Sequence, residues 1–424
     1  MNQDSRKVQR VYLLLLFLQT VAASLIWGIN TLFLLDAGLT NTEAFTANAF
    51  FTAGMTIFEV PTGVVADTRG RRTSYLLGTV TLTVATLAYF GMWYLSVPFW
   101  GWAVVSLFLG LGFTFFSGAV EAWLVDGLAT ARYFEEGGTL ESALARGEIV
   151  EGVGMLSGSI AGGLIAQATN LGIPYLIRAV VLALTFVVAF SMMRDIGFEP
   201  RRDKRIVDEV KNVLRSSIDN GLKNPPVRWV MLSAPFTGGV MIYAFYAMQP
   251  YLLELYGSQD AYSIAGLAAA AFAGAQIAGG LLVPYVRRVV RKRTTVLLVG
   301  TSLSAGLLAL MGLLPNFWSV LVALVLWGLA MAAITPVRQT YLNGLIASEQ
   351  RATVLSFDSL MQSVGAVGVQ PPLGRIADVW GYPASYLCTA GVQVLAIPFL
   401  LLARRERASS DVIQPEGEQA RVVG

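Results

Sequence analysis

Apolar residues run along this chain in blocks of membrane length, and the short polar stretches between them come in two alternating kinds. Blocks at 11–36, 44–66, 73–95, 99–128, 146–168, 174–194, 227–256, 262–286, 294–314, 317–346, 353–377 and 383–403 each hold about 20 apolar residues or more, enough to cross the hydrocarbon as a helix. Lys and Arg occur between them only before the first block, at 66–73, 129–145, 195–226, 287–293 and 347–352, and after the last. The loops around 37–43, 96–98, 169–173, 257–261, 315–316 and 378–382 carry neither. A missed or invented crossing would scramble that alternation. The pattern predicts twelve transmembrane helices with both termini on the cytoplasmic side, where basic residues accumulate. The one long polar connection, 195–226, repeats Ile206, Val210, Val213/Leu214, Ile218 and Leu222 at helical spacing before Pro225-Pro226. It reads as an amphipathic helix lying on the membrane face, linking a six-helix bundle over 1–194 to a second over 227–403. Residues 404–424 read as a basic anchor patch followed by a loose cytoplasmic tail.

Composition narrows the function. Hydrophobic residues make up 55% of the 424 and charged residues 13%, about half the usual charged share of a soluble domain, with mean hydropathy +0.61. Arg6, Lys7 and Arg10 precede an apolar run too long for a signal peptide, so that run is taken as the first crossing. Cys388 is the lone cysteine, inside an apolar stretch, and histidine is absent. The commonest metal ligand and the usual neutral-pH proton relay are therefore missing. No G-x-S-x-G and no Walker-type glycine loop appears. An enzyme, a bound cofactor, a metal and a nucleic-acid partner are not expected.

The two halves repeat each other. Gly118 to Leu128 aligns with Thr335 to Leu345, Arg71-Arg72-Thr73-Ser74 with Lys292-Arg293-Thr294-Thr295, and Gly163 to Ala166 with Gly374 to Ala377. Between the second and third blocks lies Gly63-Val64-Val65-Ala66-Asp67-Thr68-Arg69-Gly70-Arg71-Arg72. This stretch resembles the signature loop of the major facilitator superfamily, G-x-x-x-D-R-x-G-R-R, with Thr68 where the first Arg usually stands. In the second copy Pro284 replaces Gly63 and Arg288 replaces Asp67. Gly63 and Gly70 are expected to permit close helix approach and a tight turn. The resemblance implies an all-α, 6+6 pseudo-symmetric fold whose substrate site lies near midplane between the halves. It also implies a conformational charge cluster of Asp67, Arg69, Arg71, Arg72 and Asp126, Asp126 being the acid that the superfamily pairs with the loop arginines.

Charges at membrane depth cost roughly 2.5–3.5 kcal/mol each and need a reason. Asp36 sits at a helix end and is expected to be wet, while Arg146, Glu148 and Glu151 open the fifth block among other charges. Glu59, Glu121 and Arg338 are harder to dismiss. Arg338 is the repeat equivalent of Glu121, so the two are expected either to meet as a gate or to pair separately, Arg338 with Asp358. Without histidine, a side chain that carries a proton here must be a carboxylate, and Glu59 and Glu121 are the candidates.

In the resembled fold helices 1, 4, 7 and 10 line the cavity. That places Trp27, Asn30 and Thr31 there, with Phe113, Phe116 and Ser117 from the fourth helix, Tyr243, Tyr246 and Gln249 from the seventh, and Trp327, Met331 and Thr335 from the tenth. Such an aromatic, Met-containing lining suits lipophilic compounds. Gly154-x-x-x-Gly158-Ser159-Ile160-Ala161-Gly162-Gly163 resembles the antiporter motif G-x-x-x-G-P-x-x-G-G of drug:proton exchangers, with Ser159 for Pro, and is expected to bring the fifth helix against a helix of the other half. Ser106 stands where such antiporters carry an arginine. The sequence is thus identified as a drug-efflux-like member of the superfamily. It is expected to be a monomer in the bacterial inner membrane, moving small molecules by alternating access with a proton as co-substrate. Uptake of a small polar or anionic solute, with Arg338 or Arg178 as the anion contact, is the alternative.

Overall fold

The computed structural model describes residues 3–198, 211, 215, 218–346 and 351–413. Fourteen α-helices are described: α1 (Gln3–Trp27), α2 (Asn30–Asp36), α3 (Asn41–Arg69), α4 (Arg71–Leu95), α5 (Phe99–Thr114), α6 (Ala119–Thr130), α7 (Leu140–Ala168), α8 (Ile173–Met192), α9 (Pro225–Tyr256), α10 (Tyr262–Val289), α11 (Arg293–Leu313), α12 (Phe317–Asn343), α13 (Arg351–Val394) and α14 (Ala396–Arg405). Among the described residues the one β feature is an isolated bridge between Lys292 and Val412.

Short breaks account for the difference between fourteen helices and twelve crossings. The first crossing is α1 and α2, separated at Gly28-Ile29, and the fourth is α5 and α6, separated where Gly118 takes φ 69°. Eleven stretches are long and apolar enough to span a bilayer, the last running 52 residues from Val354 to Arg405. At 1.5 Å per residue that stretch would be about 78 Å long, far more than one bilayer. It turns at Gly381, whose φ of 80° only glycine adopts cheaply, and so supplies the eleventh and twelfth crossings. The chain is an all-α membrane protein of twelve transmembrane helices.

Helix starts follow from local chemistry. Thr40 caps α3 through a capping box, its hydroxyl accepting from the Glu43 amide at 3.2 Å while Glu43 Oε2 accepts from the Thr40 amide at 2.9 Å. Thr139 caps α7 and Asn316 caps α12 more simply, their side-chain oxygens accepting from the Ser142 amide and from the Trp318 and Ser319 amides. Val84, Trp100, Val180, Leu281 and Val299 stand exposed on the outsides of their helices, as lipid-facing side chains do.

Contacts divide the chain into two units, Met1–Glu209 with Gly257–Ala270, and Val210–Tyr256 with Ala271–Gly424. In the first, α1 packs along α7, α3 along α5 and α4 along α8. In the second, α9 packs along α13, and α11 against α12 and α13. The pairs α1–α7 and α9–α13 are repeat equivalents.

Three expectations need correction. The glycines of α7 do not chiefly serve another half: methyl groups at Gly154, Gly158 and Gly162 would strike Thr20, Ser24 and Leu25 of α1. Ser24 Oγ also donates to the Gly154 carbonyl at 3.0 Å, locking that seam. At the far end of the motif the expectation holds: Gly163 and Ser159 meet Gly266 at the start of α10, a helix of the 227–403 bundle whose first residues group with the first unit, and an added Cβ at Gly163 would lie 2.8 Å from the Gly266 Cα. Gly63 supports no close approach, because a methyl group there would meet open space. The segment after α14 is not loose as far as residue 413. Asp411, 4% exposed, accepts from the Thr294 amide at 2.8 Å and its hydroxyl at 3.0 Å, pinning a 3-10 turn (Ser409–Asp411) to the start of α11. Ile206, Val210, Val213 and Leu214 of the expected amphipathic helix lie outside the described residues. Ile218 and Leu222 bound a π-helical turn, in which Lys223 holds the Asp219 carboxyl below its ordinary range across a 2.6 Å ion pair.

Candidate transport site and its charge clusters

Two ion-pair systems organise the polar interior, one in each unit. In the first, α3 ends at Arg69 and α4 begins at Arg71, with Gly70 between them at φ 102°. That turn brings Arg71 Nη1 to Asp67 Oδ1 at 2.6 Å and Arg71 Nε to Asp126 Oδ2, on α6, at 3.9 Å. Asp195, just after α8, completes the cluster and was not found from the sequence. Its carboxylate fills the space a Cβ would need at Gly70, and its Oδ1 accepts from the Arg72 amide at 2.9 Å. Arg72 Nη2 donates to the Phe190 carbonyl at 2.7 Å, and its guanidinium lies 4.9 Å from the Phe190 ring. Arg69 is exposed and Gly63 faces open space, so the cluster proper is Asp67, Arg71, Arg72, Asp126 and Asp195 around Gly70.

In the second unit Arg338 is bound on every side. Its Nη2 and Nε meet Asp358 Oδ1 and Oδ2 at 2.5 and 3.2 Å, its Nη1 donates to Ser233 Oγ at 3.1 Å, and Nη2 donates also to the Val230 carbonyl at 2.9 Å. Gln362 Nε2 adds a 3.1 Å bond to Asp358 Oδ2. Of the two pairings open to Arg338, the structure shows the one with Asp358. The bidentate Asp358 carboxylate, in a pair whose side chains are 11% and 7% exposed, neutralises the Arg338 charge, and with Ser233 and the Val230 carbonyl it engages four of the five guanidinium N–H groups, so no net charge is left for a gate contact or an anion.

Glu121 is exposed on α6, within electrostatic reach of Tyr12, Glu148 and Glu151, so three carboxylates from α6 and α7 gather beside α1. Arg146 Nη1 donates to Gln9 Oε1 at 2.8 Å nearby. Glu59 is exposed on α3. Asp36 is not merely wet, since Trp93 Nε1 donates to it at 2.7 Å. Ser106, in the place of the antiporter arginine, is fully buried and shares a short hydrogen bond with Tyr89.

The aromatic lining divides in two. Tyr243, fully buried, is hydrogen bonded to Ser385 and to the Leu373 carbonyl. Trp327, also fully buried, donates to Ser304 at 2.8 Å and stacks on Phe272. Phe116 is enclosed against Tyr75. These three hold their own units together and present no open face. Thr31 and Gln249 are likewise fully buried. Asn30 joins Asn48 and Tyr175 in a chain of hydrogen bonds at 3.1 and 3.0 Å. Trp27, Phe113, Tyr246 and Met331 are half-buried, and Ser117 and Thr335 are exposed. Phe113 lies 5.8 Å from the guanidinium of buried Arg178. Within the second unit, Met331, Thr335, Arg338 and Asp358 line a cavity of about 140 Å³. Among the described residues no cluster of potential metal ligands occurs.

Sequence comparison agrees with this architecture. The sequence profile described as Major Facilitator Superfamily matches residues 12–303 and 262–424. The chain is 27% identical over 267 residues to Multidrug resistance protein MdtG of Dickeya zeae, covering 61% of this chain and 62% of that one. It is 26% identical over 336 residues to MdtG of Salmonella arizonae, covering 78% and 77%. Among solved structures it superposes on the POT family transporter PepTSo with TM-score 0.74 at 11% identity, covering 96% and 99% of the two chains. On the nucleoside transporter NupG the TM-score is 0.72 at 12% identity, covering 95% and 99%. At those identities the structural likeness speaks to the fold alone.

Proposed function

The chain belongs to the Major Facilitator Superfamily and is a membrane transporter, and from that premise we propose proton-coupled efflux of lipophilic or weakly cationic small molecules by alternating access. The observation that carries the reading is the alignment with MdtG multidrug resistance proteins over 78% of the chain. The residues assigned here to substrate contact suit it: Trp27 and Phe113 in the first unit and Tyr246 and Met331 in the second are half-buried apolar side chains, and Ser117 and Thr335 are exposed polar ones. In this reading Glu121, with Glu59 as the second candidate, carries the proton. At about 150 mV one proton supplies roughly 3–4 kcal/mol. That sustains a substrate gradient of roughly a few hundredfold, at 1.4 kcal/mol per tenfold. Uptake of a small neutral polar solute is the second reading, favoured by the Ser, Thr and Gln side chains among the lining of the second unit's cavity. Its anion version loses its main contact, because Asp358 occupies Arg338. The direct test of the reading is accumulation of a lipophilic cation by everted vesicles under a pH gradient.

We place the protein in a bacterial inner membrane as a monomer, with both termini cytoplasmic. In a Cys388→Ser background, single cysteines at Thr42 or Gln259 should react with an impermeant thiol reagent added to intact cells. A cysteine at Thr68 should stay protected until the membrane is opened. Labelling at Thr68 in intact cells would invert the orientation.

The Asp67–Arg71–Asp126–Asp195 cluster is assigned to stabilising one end state of the transport cycle, not to binding substrate. Asp67→Ala should slow turnover about tenfold while equilibrium substrate affinity stays within a few fold. Loss of binding in Asp126→Asn, measured with radiolabelled substrate on purified protein, would instead move Asp126 into the substrate site.

A further inference from the structure

Each half of the chain follows its sixth crossing with an acid that turns back onto its third. In the first half that acid is Asp195, just after α8, whose Oδ1 accepts from the amide of Arg72, the second residue of α4, at 2.9 Å. In the second half it is Asp411, beyond α14. Its Oδ1 accepts from the amide of Thr294, the second residue of α11, at 2.8 Å, and its Oδ2 from the Thr294 hydroxyl at 3.0 Å. α4 and α11 are repeat equivalents, since Arg71 to Ser74 aligns with Lys292 to Thr295. α11 begins one residue later in that alignment, so the matched position is set by the helix start. Both carboxylates sit where unpaired amides and the helix dipole favour negative charge. The neighbouring arginines also behave alike. Arg72 donates to the Phe190 carbonyl near the end of α8, and Arg293 donates to the Ser410 and Val412 carbonyls beyond the end of α14.

The rest of the first cluster has no such counterpart. Asp67 and Asp126 have Arg288 and Asn343 as their repeat equivalents, so the turn into α11 carries Arg288, Arg291, Lys292 and Arg293 and no acid of its own. Asp411 brings a carboxylate to that turn from 117 residues away, and it is 4% exposed where Asp195 is exposed. The residues around it are fastened as well. The Ile413 amide donates to the Arg291 carbonyl at 2.9 Å, and the Ser410 hydroxyl donates to the Tyr341 carbonyl of α12 at 3.0 Å. Trp229 Nε1 of α9 donates to Glu406 Oε1 at 3.0 Å. Residues 406–413 are thus tied to α9, α11 and α12, all of them helices other than the one they follow.

We infer that residues 406–413 form a clasp that does for the second unit what Asp195 and the loop acids do for the first, with Asp411 as its positioning residue. The clasp holds the start of α11 and thereby sets the balance between the end states of the transport cycle. This inference rests on assigning the Asp67–Arg71–Asp126–Asp195 cluster to one end state; it requires neither efflux nor proton coupling. Asp411→Asn isolates the role of the charge. Asparagine keeps the shape and an acceptor for the Thr294 amide, but it puts a donor where the Thr294 hydroxyl needs an acceptor.

The test needs no substrate. Full-length protein in lipid nanodiscs, in a Cys388→Ser background, carries spin labels on cysteines placed at Ser96 and Pro315, in the corresponding outer loops of the two halves, and pulsed EPR reads the populations of their separations. Asp195→Asn should change the ratio of the end states by at least about threefold, and Asp411→Asn should change it in the same direction by at least about twofold. A chain stopped after Arg407 should reproduce Asp411→Asn. Hydrogen exchange in the same samples should rise severalfold at the first turn of α11 in Asp411→Asn, and at the first turn of α4 in Asp195→Asn. If Asp195→Asn shifts the populations while Asp411→Asn and the shortened chain leave them as in wild type, the clasp merely packs the fold, and the inference fails while the first-unit assignment stands. If none of the three shifts them, both fail together. Shifts in opposite directions would also overturn the equivalence of Asp411 and Asp195.

Discussion

Replacing Asp358 with Ala should destabilise the protein more than any other single change to its polar interior, by about 3–5 kcal/mol. The substitution leaves the Arg338 guanidinium buried with Ser233 and the Val230 carbonyl as neutral partners and no counter-charge. Low exposure on both sides means solvent cannot screen the loss. Arg338→Ala strands Asp358 in the same way, with only Gln362 donating to it. The pair as a whole is a different matter, because desolvation consumes most of its attraction. The double variant Arg338→Met/Asp358→Leu should therefore recover most of the stability that either alanine variant loses. Unfolding of purified protein followed by tryptophan fluorescence separates these outcomes. Single variants within about 1 kcal/mol of wild type would mean that the pair is wetter than its burial implies.

The second large effect is on coupling. Glu121→Gln should abolish substrate accumulation driven by a pH gradient and leave downhill exchange of the same substrate intact. The reasoning starts from a missing residue type: with no histidine, and with buried Ser106 closed against Tyr89, proton transfer by a side chain at membrane depth falls to carboxylates. Glu121 is open on α6 and has Glu148 and Glu151 as electrostatic neighbours. A glutamine keeps the shape and the hydrogen-bonding capacity but cannot cycle a proton, so the cycle persists without its drive. Glu59→Gln should reproduce the phenotype only if Glu59 is the carrier. If the Glu59→Gln/Glu121→Gln double variant still concentrates substrate, neither glutamate carries the proton and the uptake reading gains.

What could be read in the sequence follows from which physical signals are local. Apolar length and the distribution of Lys and Arg are properties of contiguous residues, and the twelve crossings came directly from them. Even the 52-residue stretch divides in the sequence, into the blocks 353–377 and 383–403 on either side of Gly381. Asp67, Gly70 and Arg71 sit within one turn of chain, so their association was visible in the motif. Asp195 was not, because it reaches Arg72 from 123 residues away, past four more crossings. Its signal is an acid directly after a membrane helix on the basic face. Arg338 exposed a different limit. Repeat alignment identified its equivalent, Glu121, but equivalence says nothing of which neighbour satisfies a buried charge first, and Asp358 on the adjoining helix does so.

Aromatic positions were the least legible. In a membrane helix apolar on all sides the 3.6-residue period does not mark which face is inward. Tyr243 and Trp327 thus looked like lining residues although they are enclosed and hydrogen bonded within their unit. Glycine spacing in α7 showed that a helix would approach closely, but the partner along most of its length, α1, followed only from the fold.

The central claim is tested most directly by everted membrane vesicles from cells expressing the protein, loaded with a panel of lipophilic cationic dyes with and without an imposed pH gradient. The account predicts that vesicles with an acid interior accumulate at least one dye well above vesicles lacking the protein, that collapsing the gradient releases it, and that Glu121→Gln vesicles do not accumulate it. Accumulation that is the same with and without the gradient, or that appears for no dye while a small polar solute is carried, would contradict proton-coupled efflux.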